Sequence, residues 1–239
     1  MKTITFVLNF FSFIFNPSFN RIEEKTHIKI LNTFVFIIFN FIFLVLFGIL
    51  QKYLPISKFI DIRWFSFPIG SVQTFLLVGL ILPIIEEIIF RLPLQYSNTN
   101  IIVSLSFIIS WIFSGIYKLQ FLKPYTIIQT VAFALLFISI LCFVFKRHSS
   151  IPTVIQSLYN KWNISIFYAF VFSFALLHLI TYKNLTIALI PIVVLAISHK
   201  LIIGFSLSYL RIKYGILYSI VLHCLINSVL ITVMSKSIF

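Results

Sequence analysis

Residues 32–50 form an almost unbroken run of Phe, Ile, Leu and Val, and runs of this kind recur to the end of the chain. About 20 apolar residues in a helix cross the hydrocarbon core of a bilayer. With no water there, each backbone N–H and C=O must be satisfied within the protein, which leaves helices or closed barrels. Continuous apolar runs are not the alternating pattern of a membrane barrel, so the spans are helical. Seven runs are long enough to cross: residues 32–50, 67–90, 100–117, 125–145, 163–180, 185–210 and 214–234. Composition supports this, with 61% hydrophobic and only 10% charged residues. A soluble globular domain carries about 25% charged residues, so a soluble chain is excluded, and so is a disordered one. The expected fold is all-α, a polytopic transmembrane helical bundle of seven to eight spans. It reads as a single integral-membrane domain over residues 1–239, with a motif-bearing core at about 67–234. Residues 1–31 read as an N-terminal interfacial or short spanning segment. Lys2 precedes the apolar stretch 4–15 as in a secretory signal, but Asn16, Pro17 and Ser18 offer no small-residue cleavage site.

The net charge is +13, from 18 Lys and Arg against five Asp and Glu. The basic residues lie in short segments between apolar runs, such as Lys52, Lys58 and Arg63. No contiguous basic domain exists to hold a duplex, so nucleic acid is not an expected partner. The cations suit anionic headgroups instead. If seven spans cross from an inner N-terminus, ten cations fall inside (Lys2, Arg21, Lys25, Lys29, Lys146, Arg147, Lys161, Lys200, Arg211, Lys213). Seven fall outside (Lys52, Lys58, Arg63, Lys118, Lys123, Lys183, Lys236), a faint lean that leaves orientation open. Lys200 is counted there although the sixth run spans it. Cys142 and Cys224 both lie in apolar runs and read as free thiols. The 30 Phe residues, with heavy Ile, Asn and Lys use, suit an AT-rich genome.

Of the five acids, Glu23 and Glu24 precede the first run and Asp61 lies in a loop. Glu86 and Glu87 sit side by side near the end of the second, with Arg91 four residues after Glu87. A charge at the bilayer centre costs about 2.5–3.5 kcal/mol on insertion scales, so a chain with so few acids needs a reason to keep two here. Glu87 and Arg91, at i and i+4, share a helix face and can pair. Glu86 is rotated about 100° away, with Leu82, Pro83 and Phe90. Pro83 removes the hydrogen bond to Gly79 and invites a kink just before the pair. Glu87–Arg91 therefore reads as structural, and Glu86 as a proton acceptor facing a wet cavity. A helix end at the headgroups would also solvate all three.

The histidines favour a site. His178 closes the fifth run, His223 lies in the middle of the seventh, and Asn227 is four residues further on the same face. His199, within the sixth run, reads as a pocket-lining residue. Two membrane His, one Asn and two Glu from three helices converge only if the bundle encloses a polar pocket. Carboxylate and imidazole can activate water for attack on a carbonyl, with imidazole and amide donating to the oxyanion. The same groups could bind a divalent metal, or relay protons in a transporter. Asn is a poor zinc ligand, and no paired inverted repeats support a transporter.

These residues stand in three motifs: Glu86-Glu87-Ile-Ile-Phe-Arg91, Phe174-Ala-Leu-Leu-His178 and His223-Cys-Leu-Ile-Asn227. Together, in this order and on separate runs, they resemble the EExxxR, FxxxH and HxxxN/D motifs of the CPBP family. This family comprises CAAX proteases and bacteriocin-processing enzymes and is also called Abi. Gly204, Arg211 and Gly215 ahead of His223 resemble the lead-in to the family's last motif helix. The resemblance spans about residues 83–227. It implies an eight-span or similar bundle and a membrane-embedded endopeptidase, with catalytic Glu86, His178, His223 and Asn227. Glu86 would polarise water with help from His178, and His223 and Asn227 would support the oxyanion. Glu87 and Arg91 would hold the motif helix, and Phe174 would pack beside the site. The resemblance leaves metalloendopeptidase and glutamate-type chemistry open; a metal such as zinc would fall to Glu86, His178 and His223. It implies membrane-associated peptide or protein substrates, contact with the lipid bilayer and a bacterial cytoplasmic membrane location. The alternative on the same fold is a non-catalytic bacteriocin-immunity or scaffold protein.

Overall fold

Proline, glycine and asparagine set the breaks between long apolar helices. The computed structural model describes residues 2–53, 61–62, 72–117, 124–183 and 190–236. Helices α1 (Lys2–Phe15) and α2 (Thr26–Tyr53) open the chain, followed by a two-residue strand β1 (Asp61–Ile62). One α-helical turn at Val72–Thr74 and a π-helical stretch at Phe75–Ile81 lead into α3 (Leu82–Phe90). A 3-10 turn at Leu92–Leu94 precedes α4 (Asn98–Tyr117), α5 (Pro124–Arg147) and α6 (Ser150–Leu177). A second 3-10 turn, His178–Thr181, and strand β2 (Tyr182–Lys183) come before α7 (Ile190–Lys213) and α8 (Ile216–Lys236). The strands form an antiparallel pair, Asp61 opposite Lys183 and Ile62 opposite Tyr182. The all-helical expectation holds apart from this four-residue pairing among the described residues. The first parts of the second and sixth runs, residues 67–71 and 185–189, lie outside the described residues.

Two boundaries differ from the sequence expectation. The fifth run, placed at 163–180, belongs to a 28-residue helix that begins at Ser150 and bends at Trp162 (φ −121°, ψ 20°). Next to the bend, the Ile164 N–H turns to the Asn163 side-chain oxygen at 2.7 Å, a local competitor of the helix ladder. The same helix stops at Leu177, so His178 opens a 3-10 turn rather than lying inside a span. Gly215, at φ +115°, ends α7, and the N–H groups of Tyr214 and Gly215 both reach the Leu210 carbonyl (2.8 and 3.0 Å). A side chain there would be strained.

Residues 26–50 of α2 and 126–147 of α5 are long and apolar enough to cross a membrane. Their large apolar side chains stay outward, as at Ile38, Leu135 and Phe143 (61%, 61% and 70% exposed). Such surface is stable against lipid tails and not against water. The core lies on the other side. Phe6, Phe10 and Phe13 of α1 interlock with Phe36 of α2, Phe167 of α6 and Tyr209 of α7. Phe10–Phe36 and Phe13–Tyr209 meet edge-on with centroids 4.8 and 5.0 Å apart. Each such pair is worth about 0.5–1.5 kcal/mol beyond burial. The N-terminal segment is thus a structural wedge in the bundle.

Polar stitches join the remaining pieces. Ser114 and Thr130 hydrogen-bond across α4 and α5 at 2.9 Å, where small residues let helices approach closely. The Lys213 ammonium, whose pKa is pushed down by burial, donates to the Ser18 carbonyl and hydroxyl (both 2.7 Å) and to the Asn20 carbonyl. Tyr214 donates to Glu24 and accepts from Asn32. These contacts fasten the α1–α2 connection to the end of α7.

Candidate active site

Pro83 shapes the motif helix, though not as a simple kink. In a π-helix the N–H of residue i+5 serves the carbonyl of residue i. Leu82 accordingly donates to the Leu77 carbonyl. In the same register Pro83 would serve Val78, but it has no N–H to give. The Asn227 amide of α8 supplies the missing donor, Nδ2 to the Val78 oxygen at 3.3 Å. In this register the carbonyl that loses its main-chain donor to Pro83 is that of Val78. Gly79 itself lies against α8: a Cβ there would meet the Ser228 hydroxyl at 3.0 Å. The missing side chain lets the two helices approach.

Beyond the π stretch, α3 carries both glutamates. Glu87 and Arg91 are fully buried, and Arg91 Nε lies 3.7 Å from Glu87 Oε1. His223 Nδ1 lies 3.0 Å from the same oxygen. A carboxylate only accepts, so His223 donates there. Its other nitrogen, Nε2, faces Glu86 Oε2 at 3.5 Å, so one imidazole bridges the two acids. The Glu86 side chain is 24% exposed while that of Glu87 is 0%. This is the division the helical spacing anticipates.

Phe174 is the hub on the opposite side. The Arg91 guanidinium stacks 3.8 Å from its ring centroid. Its ring also packs on those of Phe90, His178 and His223 (5.6, 4.9 and 5.7 Å). His178 Nδ1 lies 2.8 Å from the Phe174 carbonyl, so Nδ1 carries the proton and Nε2 is the basic nitrogen of the neutral ring. Behind Arg91, α7 contributes Gly204, where a Cβ would meet Phe174 at 3.3 Å and Arg91 Nη2 at 3.5 Å. Arg211 donates from Nε and Nη2 to the carbonyls of Arg91 and Leu92, both at 3.0 Å. It thereby caps the C-terminal end of α3, where a cation is favoured.

The structure therefore brings Glu86, Glu87, Arg91, Phe174, His178 and His223 together. Asn227 is one turn along α8 from His223, with its amide committed to the π stretch. His199 packs its ring on Phe47 at 4.6 Å and lines a groove of about 210 Å³ between α2 and α7. Among the described residues no three or more His, Cys, Asp or Glu side chains are grouped to hold a metal ion. Both nitrogens of His223 already face carboxylates, so the set does not fit a resident metal and no step is routed through one. Sequence reasoning missed Lys200, which interacts electrostatically with both Glu86 and His178. Its signal was present: Lys200 is four residues before Gly204 and so on the same helix face.

The fold and the buried cluster define a helical bundle with a carboxylate–imidazole site. The family model described as Rce1-like, type II CAAX prenyl endopeptidase Rce1-like, matches residues 68–160. The family that the motifs resemble is thus the one this segment matches, and the kind of protein indicated is a membrane-embedded protease of the CAAX type. The matched segment contains Glu86, Glu87 and Arg91 and ends before Phe174, His178, His223 and Asn227. Comparison with curated proteins and with solved structures returns no match.

Proposed function

We propose that this protein is an intramembrane endopeptidase that hydrolyses a peptide bond in membrane-associated peptides or proteins. The bundle sits in a bacterial cytoplasmic membrane with seven or eight spans. The observation that carries the reading is the unequal pair of glutamates bridged by His223. Glu87, fully buried between Arg91 and His223, is the fixed member. Glu86, turned toward the more open side, is the general base. Its carboxylate takes a proton from water as the water oxygen attacks the scissile carbonyl. The basic Nε2 of His178 accepts a hydrogen bond from the same water and helps to orient it, and the attack yields a tetrahedral oxyanion. On collapse, the C–N bond breaks and the Glu86 carboxyl passes its proton to the leaving amine. His223 orients Glu86, and Arg91 on Phe174 holds the framework. The amide of Asn227 supports a shaping role at the π stretch better than the oxyanion role the resemblance implies.

The test compares chain termini and released peptides, by mass spectrometry, from cells expressing wild type or Glu86→Ala. The reading expects a defined set of cleavages with wild type that vanishes in the variant. Identical profiles at equal protein levels would overturn it.

A further inference from the structure

We propose that Lys200 is the counter-ion of Glu86, a positioning residue on α7 that does for Glu86 what Arg91 does for Glu87. The inference rests on the reading of Glu86 as the base and adds a residue that none of the three motifs contains. Helix register places both groups beyond the Arg91 guanidinium, on the same side of it. Arg211 on the carbonyls of Arg91 and Leu92 aligns the C-terminal ends of α3 and α7, which run parallel. At about 1.5 Å per residue, Glu86 lies about 7.5 Å up α3 from Arg91. Gly204 faces the Arg91 guanidinium, and Lys200 is one turn further up the same face, about 6 Å beyond it. The half-buried Lys200 therefore lies on the face of α7 turned to the site, within electrostatic reach of Glu86 and His178.

The charges then balance. Glu86 and Glu87 bring two negative charges into the bundle, and Arg91 supplies one positive charge, within 3.7 Å of Glu87. Glu86 is faced by Glu87 and Arg91 from its own helix, by His223 from α8 and by Lys200 from α7. Arg211 is already committed to main-chain carbonyls. Glu86 Oε2 is buried and accepts no hydrogen bond among the described residues. A buried carboxylate in that state needs a nearby cation to stay charged, and Lys200 is the cation that α7 offers.

The test is a double-mutant cycle on the purified full chain in bicelles, with the folded-to-unfolded ratio as the readout, so it needs no substrate. Lys200→Met should lower the ratio by roughly tenfold, within the range for residues of one electrostatic network. In a Glu86→Gln background the same change should cost less than about twofold. Lys200→Arg should keep most of the wild-type ratio. In cells, Lys200→Met should lose the cleavages that Lys200→Arg retains. An equal loss in both backgrounds would make Lys200 a packing residue and overturn the proposal. If the cycle shows coupling while Glu86→Gln leaves cleavage intact, the ion pair stands and the reading of Glu86 as base fails. If Lys200→Met does not fold, the milder Lys200→Gln is taken through the same cycle.

Discussion

Pro83 and Asn227 form a compensated defect, and its energy can be worked out. Removing the Asn227 amide leaves the Val78 carbonyl without its donor inside the bundle. An unsatisfied buried acceptor costs about 1–3 kcal/mol in soluble proteins. Side-chain hydrogen bonds within a membrane bundle average about 0.6 and reach about 1.7 kcal/mol. The 3.3 Å length makes this a moderate bond, so Asn227→Ala should cost about 1 kcal/mol. Pro83→Ala restores an N–H at residue 83. In the π register that N–H serves Val78 directly. If the segment relaxes to an α-helix it serves Gly79, and Leu82 serves Val78. Either way the amide becomes redundant, and Asn227→Ala in the Pro83→Ala background should cost close to nothing. The assay is reversible unfolding of purified protein in bicelles, followed through both single variants and the double. A coupling of about 1 kcal/mol is the expected outcome. Equal costs of Asn227→Ala in the two backgrounds would refute the account of the π stretch.

Three further outcomes follow from the same geometry. Glu87→Ala leaves the fully buried Arg91 guanidinium without its carboxylate, and unfolding measurements should register a loss of about 3–5 kcal/mol. Phe10→Ala opens a hole among Phe36, Phe39 and Tyr209, and stability should fall by about 3 kcal/mol even though the residue is far from the glutamates. Extended dialysis against a chelator should leave the cleavage pattern in wild-type membranes unchanged, because the site residues are not grouped as metal ligands; loss of cleavage, restored by a divalent metal, would contradict this.

How much of this was legible in the sequence depends on whether a residue's role is set within one helix or between helices. The Glu87–Arg91 pairing and the separate face of Glu86 follow from i, i+4 spacing, and both appear as expected. Pro83 announced a disturbed helix. Its register could not be read there, because it depends on an amide presented by α8, almost 150 residues later. The N-terminal helix illustrates the same limit. Phe6, Phe10 and Phe13 look like any lipid-facing aromatics until Tyr209 and Phe36 are seen between them. Counting cations by loop places Lys200 among the inner-side charges, a rule that ignores which helix face a cation occupies. His178 lies at the end of a helix, not within it, since α6 gives way to a 3-10 turn there.

The central claim is that Glu86 activates water for peptide hydrolysis. It is tested most directly with purified protein in proteoliposomes, given a substrate found by the terminus comparison and incubated in water enriched in oxygen-18. The account predicts that wild type puts one heavy oxygen into each new C-terminal carboxylate during cleavage, and that Glu86→Gln, folded to the same extent, yields no labelled product. Cleavage and labelling by Glu86→Gln at the wild-type rate would contradict it.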